Sequence, residues 1–136
     1  MLKFTRISTI YPEALKSIEN KISSKKNYNY DKLLKKVFLF GFGERDNVTK
    51  ELSKKNYKCN EIIANFHLLQ KKWADKYLKN IEHDDLIFEQ IKFYKTNIIY
   101  FGSYAFLNKK LLNKIRELRH VKLILVFHCS PISSVV

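Results

Sequence analysis

Four short apolar stretches, each running into polar residues, constrain the fold of this chain more than any other feature of its sequence. They are residues 2–9, 57–65, 96–103 and 121–130. Most of the segments between them place apolar side chains three and four residues apart, which is helical spacing. Apolar strands that alternate with amphipathic helices are typical of a parallel sheet covered on both faces. The sequence therefore predicts an α/β fold, a Rossmann-like three-layer αβα arrangement with a parallel sheet of about four strands.

Some of the segments between the predicted strands show a clear helical pattern, and others do not. Helical patterns cover residues 47–57, 66–80 and 108–118, the first of them starting after Asp46 as N-cap. Another helix is predicted to begin near Asp84–Asp85 and to bury Ile87, Ile91 and Tyr94. Residues 16–29 are polar and predict only a helical turn followed by a loop. Pro12 bars a helix that continues from the first strand. Residues 30–46 are compatible with a helix and with a strand, because their apolar positions fit both the helical and the strand period.

The composition fits a single globular domain. The chain has 136 residues, of which 46% are hydrophobic, enough to bury a core. No apolar run approaches the ~20 residues that span a bilayer, and residues 1–15 lack the apolar centre of a signal peptide. We therefore expect a cytoplasmic protein. Cys59 and Cys129 lack metal-site spacing, and no HxxH, HExxH or carboxylate cluster argues for a metal, so we expect neither a metal nor a cofactor.

The net charge is strongly positive, but it says little about which partner the chain binds. The formal net charge is +13, from 26 basic and 13 acidic residues. Only four of the basic residues are arginine, the side chain that hydrogen-bonds to guanine edges and binds phosphates through two N–H donors at once. Lysine, asparagine and isoleucine have AT-rich codons, so a genome bias explains most of the lysines. We expect no specific nucleic-acid partner, while an anionic membrane surface stays open, with a peripheral location at the inner membrane surface.

Polar residues follow every predicted strand. Right-handed crossovers bring the carboxyl ends of parallel strands to one edge of the sheet, and open α/β sheets bind ligands there. The candidate substrate-binding residues at this edge are Ser8, Thr9, Tyr11, Asn65, Ser103, Tyr104 and Ser130. His128 is the candidate catalytic residue, as a general base or as a donor to a sugar hydroxyl or phosphate. The alternative for His128 is a hydrogen bond to neighbouring loop backbone.

Two other α/β sites fit the residues less well. A phosphoacceptor receiver domain needs acidic residues at strand ends, where this chain has Ser8, Thr9 and Ser103. The stretch GFGERD, residues 41–46, supplies G-x-G with Asp46 in place of the third glycine of the dinucleotide motif. It is typical of a turn, and a small-nucleotide site stays open as an alternative.

Four blocks together resemble a known enzyme family. They are RISTIYP (6–12), TKELSKKNYKCNEIIANFHLLQKKWA (49–74), QIKFYKTNIIYFGSYAFL (90–107) and VKLILVFHCSP (121–131). In order and pattern they are similar to the N-terminal half of bacterial GT-B-fold glycosyltransferases of the group-1/family-4 type, including the CgeB-like spore-maturation branch. Such enzymes have two Rossmann-like domains that face a cleft.

The resemblance implies that residues 1–136 form the first, acceptor-side domain, a truncated part of a longer two-domain enzyme. The whole enzyme would transfer a sugar from a nucleotide-sugar donor to a glycan or lipid-linked acceptor, without a metal. This domain would be inactive alone, because the donor-binding domain is the second one. We also expect an exposed apolar edge or a homodimer that covers it. The alternative is a non-enzymatic Rossmann-like module that binds an anionic partner through its basic surface.

Overall fold

A computed structural model of the chain describes residues 1–23, 27–40, 46–79 and 85–127. The elements in chain order are β1 (Lys3–Ser8), α1 (Pro12–Ser23), α2 (Tyr30–Leu39), α3 (Asn47–Lys54), β2 (Lys58–Ile63), α4 (His67–Tyr77), α5 (Leu86–Tyr94), β3 (Ile98–Phe101), a short 3-10 turn (Tyr104–Phe106), α6 (Lys109–Arg116) and β4 (Leu123–Val126). The predicted Rossmann-like three-layer αβα fold is confirmed.

The four strands form one parallel sheet in the order β2-β1-β3-β4. Ser8 at the end of β1 lies opposite Ile63 at the end of β2. On the other side, Ile7 lies opposite Phe101, which in turn lies opposite Val126. The carboxyl ends of all four strands therefore reach the same edge of the sheet, because all three strand pairs are parallel.

Two apolar clusters form the core. The first joins α1, α2 and α4 to the end of β2, and Trp73 and Phe66 are fully buried in it. The second packs α5 and α6 against the sheet, with Ile99 and Phe101 at its centre. Both clusters come from side chains at helical or alternating spacing, which is the pattern that predicts the fold.

Helix α1 is the main difference from the sequence prediction. Residues 16–29 predict only a turn and a loop, yet a twelve-residue helix begins at Pro12. Proline is tolerated in the first helical turn, because its missing N–H has no intrahelical partner there. Ala14, Ile18 and Ile22 are buried at intervals of four residues. This sparse stripe is enough to hold a polar helix on the core.

Local capping explains where the other helices begin. The Asn29 side chain accepts a hydrogen bond from Lys32 N at 2.9 Å and so caps the start of α2. Tyr30–Leu39, within the segment whose apolar spacing fits a helix or a strand, is therefore a helix. Asp85 caps α5 and Asn108 caps α6 in the same way. Asp46 precedes α3 as predicted, but it pairs with Lys50 at 3.1 Å and makes no side-chain cap hydrogen bond. Within the described residues, no helix is long and apolar enough to cross a membrane.

Candidate functional site

The ends of β1 and β3 meet at the carboxyl edge of the sheet. Gly102 N donates to Ile7 O at 2.8 Å, which carries the ladder one residue beyond β3. A Cβ atom at Gly102 would lie 3.9 Å from the Cβ of Ser8. The half-buried Ser8 therefore lies directly beside the segment that leads into Ser103. Two of the predicted strand ends are neighbours in space.

Asn65 holds the loop after β1 against the end of β2. Its Oδ1 accepts from Ile10 N at 2.9 Å, and its Nδ2 donates to Ile10 O at 2.6 Å. This pair of bonds satisfies both backbone groups of Ile10 in a loop where no strand partner supplies them. Asn65 thus positions the loop that carries Thr9 and Tyr11, and its predicted contact with a substrate stays a prediction.

Two tyrosines stand on the rim of this edge. Tyr11 is 76% exposed and Tyr104 is 56% exposed. Tyr104 begins the 3-10 turn after β3, and Ser103 caps that turn by accepting a hydrogen bond from Ala105 N at 3.3 Å. Exposed aromatic residues are suited to stacking on a flat or ring-shaped ligand.

The remaining predicted site residues lie outside the described part of the chain. These are His128 and Ser130, together with residues 41–45 of the glycine-containing stretch. The catalytic role of His128 and the nucleotide-binding alternative for GFGERD therefore stay predictions. The described site consists of Ser8, Thr9, Tyr11, Asn65, Ser103 and Tyr104.

Replacing Asn65 with alanine should lower the free energy of unfolding by about 1–3 kcal/mol, because the N–H and C=O of Ile10 lose their partner. Urea denaturation followed by circular dichroism measures this change. Asn113→Ala is the matched control, since Asn113 lies exposed on α6. A loss below about 0.5 kcal/mol for Asn65→Ala, equal to the control, would show that the loop does not depend on this clamp.

A second polar centre lies inside the sheet, and the sequence analysis missed it. Arg6 on β1 and Glu61 on β2 are register partners and are only 4% and 8% exposed. Arg6 Nε lies 3.0 and 2.9 Å from the two carboxylate oxygens of Glu61. Thr49 on α3 donates to Glu61 Oε1 at 2.8 Å. A buried charge pair needs such additional hydrogen bonds to offset its desolvation.

Burial dominates the electrostatics of this centre. It raises the pKa of Glu61 from 4.5 to about 7, although the Arg6 charge and the Thr49 hydrogen bond both lower it. Two cavities of about 390 and 330 Å³ open beside it and share Asp46, Thr49, Cys59 and Glu61 as lining residues. A carboxyl group of raised pKa on a cavity wall occurs in functional sites and in structural ion pairs alike.

Other features of these cavities do not identify a ligand. The Nδ2 of Asn60, which lines the smaller cavity, has no hydrogen-bond partner in the described structure. The described residues contain no group of three or more histidine, cysteine or acidic side chains that could hold a metal ion. We therefore treat the Arg6–Glu61–Thr49 centre as a structural feature of the sheet.

The stability of the fold should depend on pH through Glu61. Its pKa is higher in the folded chain than the ordinary value of 4.5, so the folded state binds the proton more tightly than the unfolded state. The contribution of this group to stability is therefore greatest below about pH 4.5 and is lost as the pH rises through about 7, by up to about 3 kcal/mol.

The comparison of the wild type with Glu61→Gln isolates this contribution, because glutamine does not titrate. We expect the wild type to lose about 2–3 kcal/mol relative to Glu61→Gln between about pH 5 and about pH 8 in urea denaturation. Glu51→Gln is the control, since Glu51 pairs with Lys54 on the exposed surface of α3. A difference that stays constant with pH would contradict the raised pKa.

Comparison with known proteins leaves the family of this chain open. No family model, no curated protein and no solved structure matches it. The case for a function therefore depends on the fold, the strand-end geometry and the sequence blocks described above.

Proposed function

We propose that this chain is the acceptor-side Rossmann-like domain of a GT-B-type glycosyltransferase, with its ligand bound at the carboxyl edge of the sheet. The observation that carries the proposal is the meeting of the β1 and β3 ends, where Ser8 lies beside Gly102 and Tyr104 stands on the rim. Open α/β sheets bind ligands at this edge. The resemblance of the four sequence blocks narrows the ligand class to sugars and sugar nucleotides.

Each residue of the edge has a role in this proposal. Tyr11 and Tyr104 stack on sugar rings, because both are exposed aromatic residues at this edge. The hydroxyl groups of Ser8, Thr9 and Ser103 exchange hydrogen bonds with sugar hydroxyls. Asn65 keeps the loop with Tyr11 in place.

The reaction that the resemblance implies is a displacement at the anomeric carbon. An acceptor hydroxyl forms the new C–O bond, and the bond from that carbon to the diphosphate of the donor breaks. The nucleoside diphosphate leaves with the electron pair, and a general base takes the hydroxyl proton. His128 is the residue of this chain that we assign to that proton. A second domain would hold the nucleotide of the donor, while the strand ends of this chain approach the acceptor and reach the donor phosphates, so this chain alone binds ligand without turnover.

Replacing Tyr104 with alanine should weaken ligand binding about 10-fold, because a stacked aromatic ring contributes about 1–3 kcal/mol. Isothermal titration calorimetry with UDP-glucose, GDP-mannose and maltose measures this effect. Tyr104→Phe keeps the ring and is the matched control, with binding within about 3-fold of the wild type. Equal binding by the wild type and Tyr104→Ala, or no binding of any probe, would contradict the proposed site.

A basic binding module is the second candidate, and the pattern of ion pairs favours it. Seven acidic side chains form ion pairs with basic residues in the described structure: Asp31, Asp46, Glu51, Glu61, Asp75, Asp85 and Glu89. The net charge of +13 is what remains after all 13 acidic residues are set against the 26 basic ones, so 13 basic residues are in excess of the acidic groups of this chain. Strong binding to phosphatidylglycerol vesicles that falls steeply with salt, without binding of sugar nucleotides, would favour this candidate.

A further inference from the structure

An apolar groove of about 700 Å³ lies on the sheet face that carries α3. Five strand residues form its floor: Phe4, Ile98, Tyr100, Leu123 and Leu125. Helix α3 packs against β2 and β1, and Val48 and Leu52 on its side form one wall of the groove. We call this surface over β3 and β4 the open face. The opposite face of the sheet is covered by α5 and α6.

The open face is unusual for a parallel sheet. Sheets of this kind occur almost only with both faces covered, yet Leu123 and Leu125 are 46% and 43% exposed. The apolar surface continues to the outer edge of the sheet, since β4 is an edge strand and Phe127 after it is also exposed. Residues 123–127 contain no charged residue and no proline, the devices that usually protect such an edge.

The charge distribution indicates what covers this face. Ten described residues line the groove, and none of them is basic, in a chain with 26 lysines and arginines. The one charged lining residue is Glu51, which pairs with Lys54 at 2.6 Å. An acidic partner would find no cation in the groove, whereas two copies of this chain can meet there without placing like charges against each other.

The shape of the surface suits a second copy. Helix α3 stands out from the sheet as a ridge over β2 and β1, and the surface of β3 and β4 beside it is less raised. Seen from the side, the ridge and this surface together form a step. A two-fold rotation places the ridge of each copy against the β3–β4 surface of the other, which is the self-complementary contact of an isologous dimer. We propose that two copies of this chain pack with their open faces together, burying Leu123 and Leu125 of both. This proposal does not depend on the proposed enzymatic function.

Sedimentation velocity of the whole chain tests the dimer. We expect the wild type to sediment as a dimer at about 100 μM. Leu125→Glu and Leu123→Glu should each raise the dimer dissociation constant about 100-fold or more, because every dimer carries the substitution twice. Raising the salt from about 50 to about 500 mM should strengthen the dimer, since salt screens the repulsion between two strongly positive copies.

The matched control is Leu39→Glu, because Leu39 is 76% exposed on α2 and lies away from the groove. It should leave the dissociation constant within about 3-fold of the wild type. Circular dichroism shows whether each variant is folded. A wild type that is monomeric at about 200 μM in both salts would overturn the proposal without reference to any variant. A dimer that both folded groove variants leave intact would also overturn it.

Discussion

Replacing Trp73 with alanine should lower the free energy of unfolding by about 3–5 kcal/mol, the range for removing a large aromatic side chain from a core. Trp73 is fully buried in the cluster that joins α1, α2 and α4. Its ring centre lies 5.4 Å from that of Tyr77 and 6.1 Å from that of Tyr94. Its Nε1 donates to the Tyr94 hydroxyl at 2.8 Å, so alanine would leave both a cavity and a lost hydrogen bond.

Two further variants separate these contributions in urea denaturation. Trp73→Phe keeps most of the apolar contacts but loses the hydrogen bond to Tyr94, so we expect a loss of about 1–2 kcal/mol. Phe93→Ala removes a ring that packs edge-on against Trp73, with 5.5 Å between the ring centres, and that is 46% exposed, so it should cost less than Trp73→Ala. If Trp73→Ala costs no more than Phe93→Ala, Trp73 is not the centre of this cluster.

Replacing Arg6 with alanine should be about as damaging, with a loss of about 3–5 kcal/mol at about pH 8. The change leaves Glu61 buried without its cation, and a buried unpaired carboxylate must be protonated or must draw water into the sheet. The loss of stability should be smaller at about pH 5, because Glu61 is then protonated and a neutral buried carboxyl group does not require a cation beside it. This pH dependence distinguishes the lost ion pair from the loss of the arginine's packing.

Arg116→Ala is the matched control for Arg6→Ala, because Arg116 is exposed on α6. We expect it to change the stability by no more than about 0.5 kcal/mol. The double variant Arg6→Ala/Glu61→Gln should be more stable than Arg6→Ala at about pH 8, since it removes the unpaired charge. A cost for Arg6→Ala that is the same at both pH values would contradict the role of the buried pair.

Strands β3 and β4 were predictable because each combines a strong apolar pattern with a polar end. Ile98–Phe101 and Leu123–Val126 lie inside the predicted stretches, and their parallel arrangement follows from the helices between them. Helix α1 was not predictable with the same certainty, because its apolar stripe consists of only a few residues in a polar segment. The spacing of Ala14, Ile18 and Ile22 was the signal that could have identified it.

In the candidate site too, some features follow from the topology of the sheet, and others depend on tertiary packing. The carboxyl ends of the strands share one edge because the strands are parallel, and this could be predicted. That Ser8 lies beside Gly102 follows from the strand order, which places β1 next to β3. The pairing of Arg6 with Glu61 depends on the register between two strands 55 residues apart in the chain, which a single sequence does not encode in a readable way. The same holds for Gln70 and Gln90, whose buried amides exchange hydrogen bonds at 2.8 and 3.1 Å. Long-range polar pairs are specified by tertiary packing and not by local pattern.

The most direct test of the account is to map where a sugar ligand binds. Backbone chemical-shift mapping by NMR, with UDP-glucose, GDP-mannose and maltose each added at about 5 mM, reports binding residue by residue even when affinity is weak. Our account predicts that the shifts concentrate on Ser8, Thr9, Ser103 and Tyr104 at the carboxyl edge of the sheet. Shifts confined to the open face or to the lysine-rich helices, with these four residues unchanged, would contradict it.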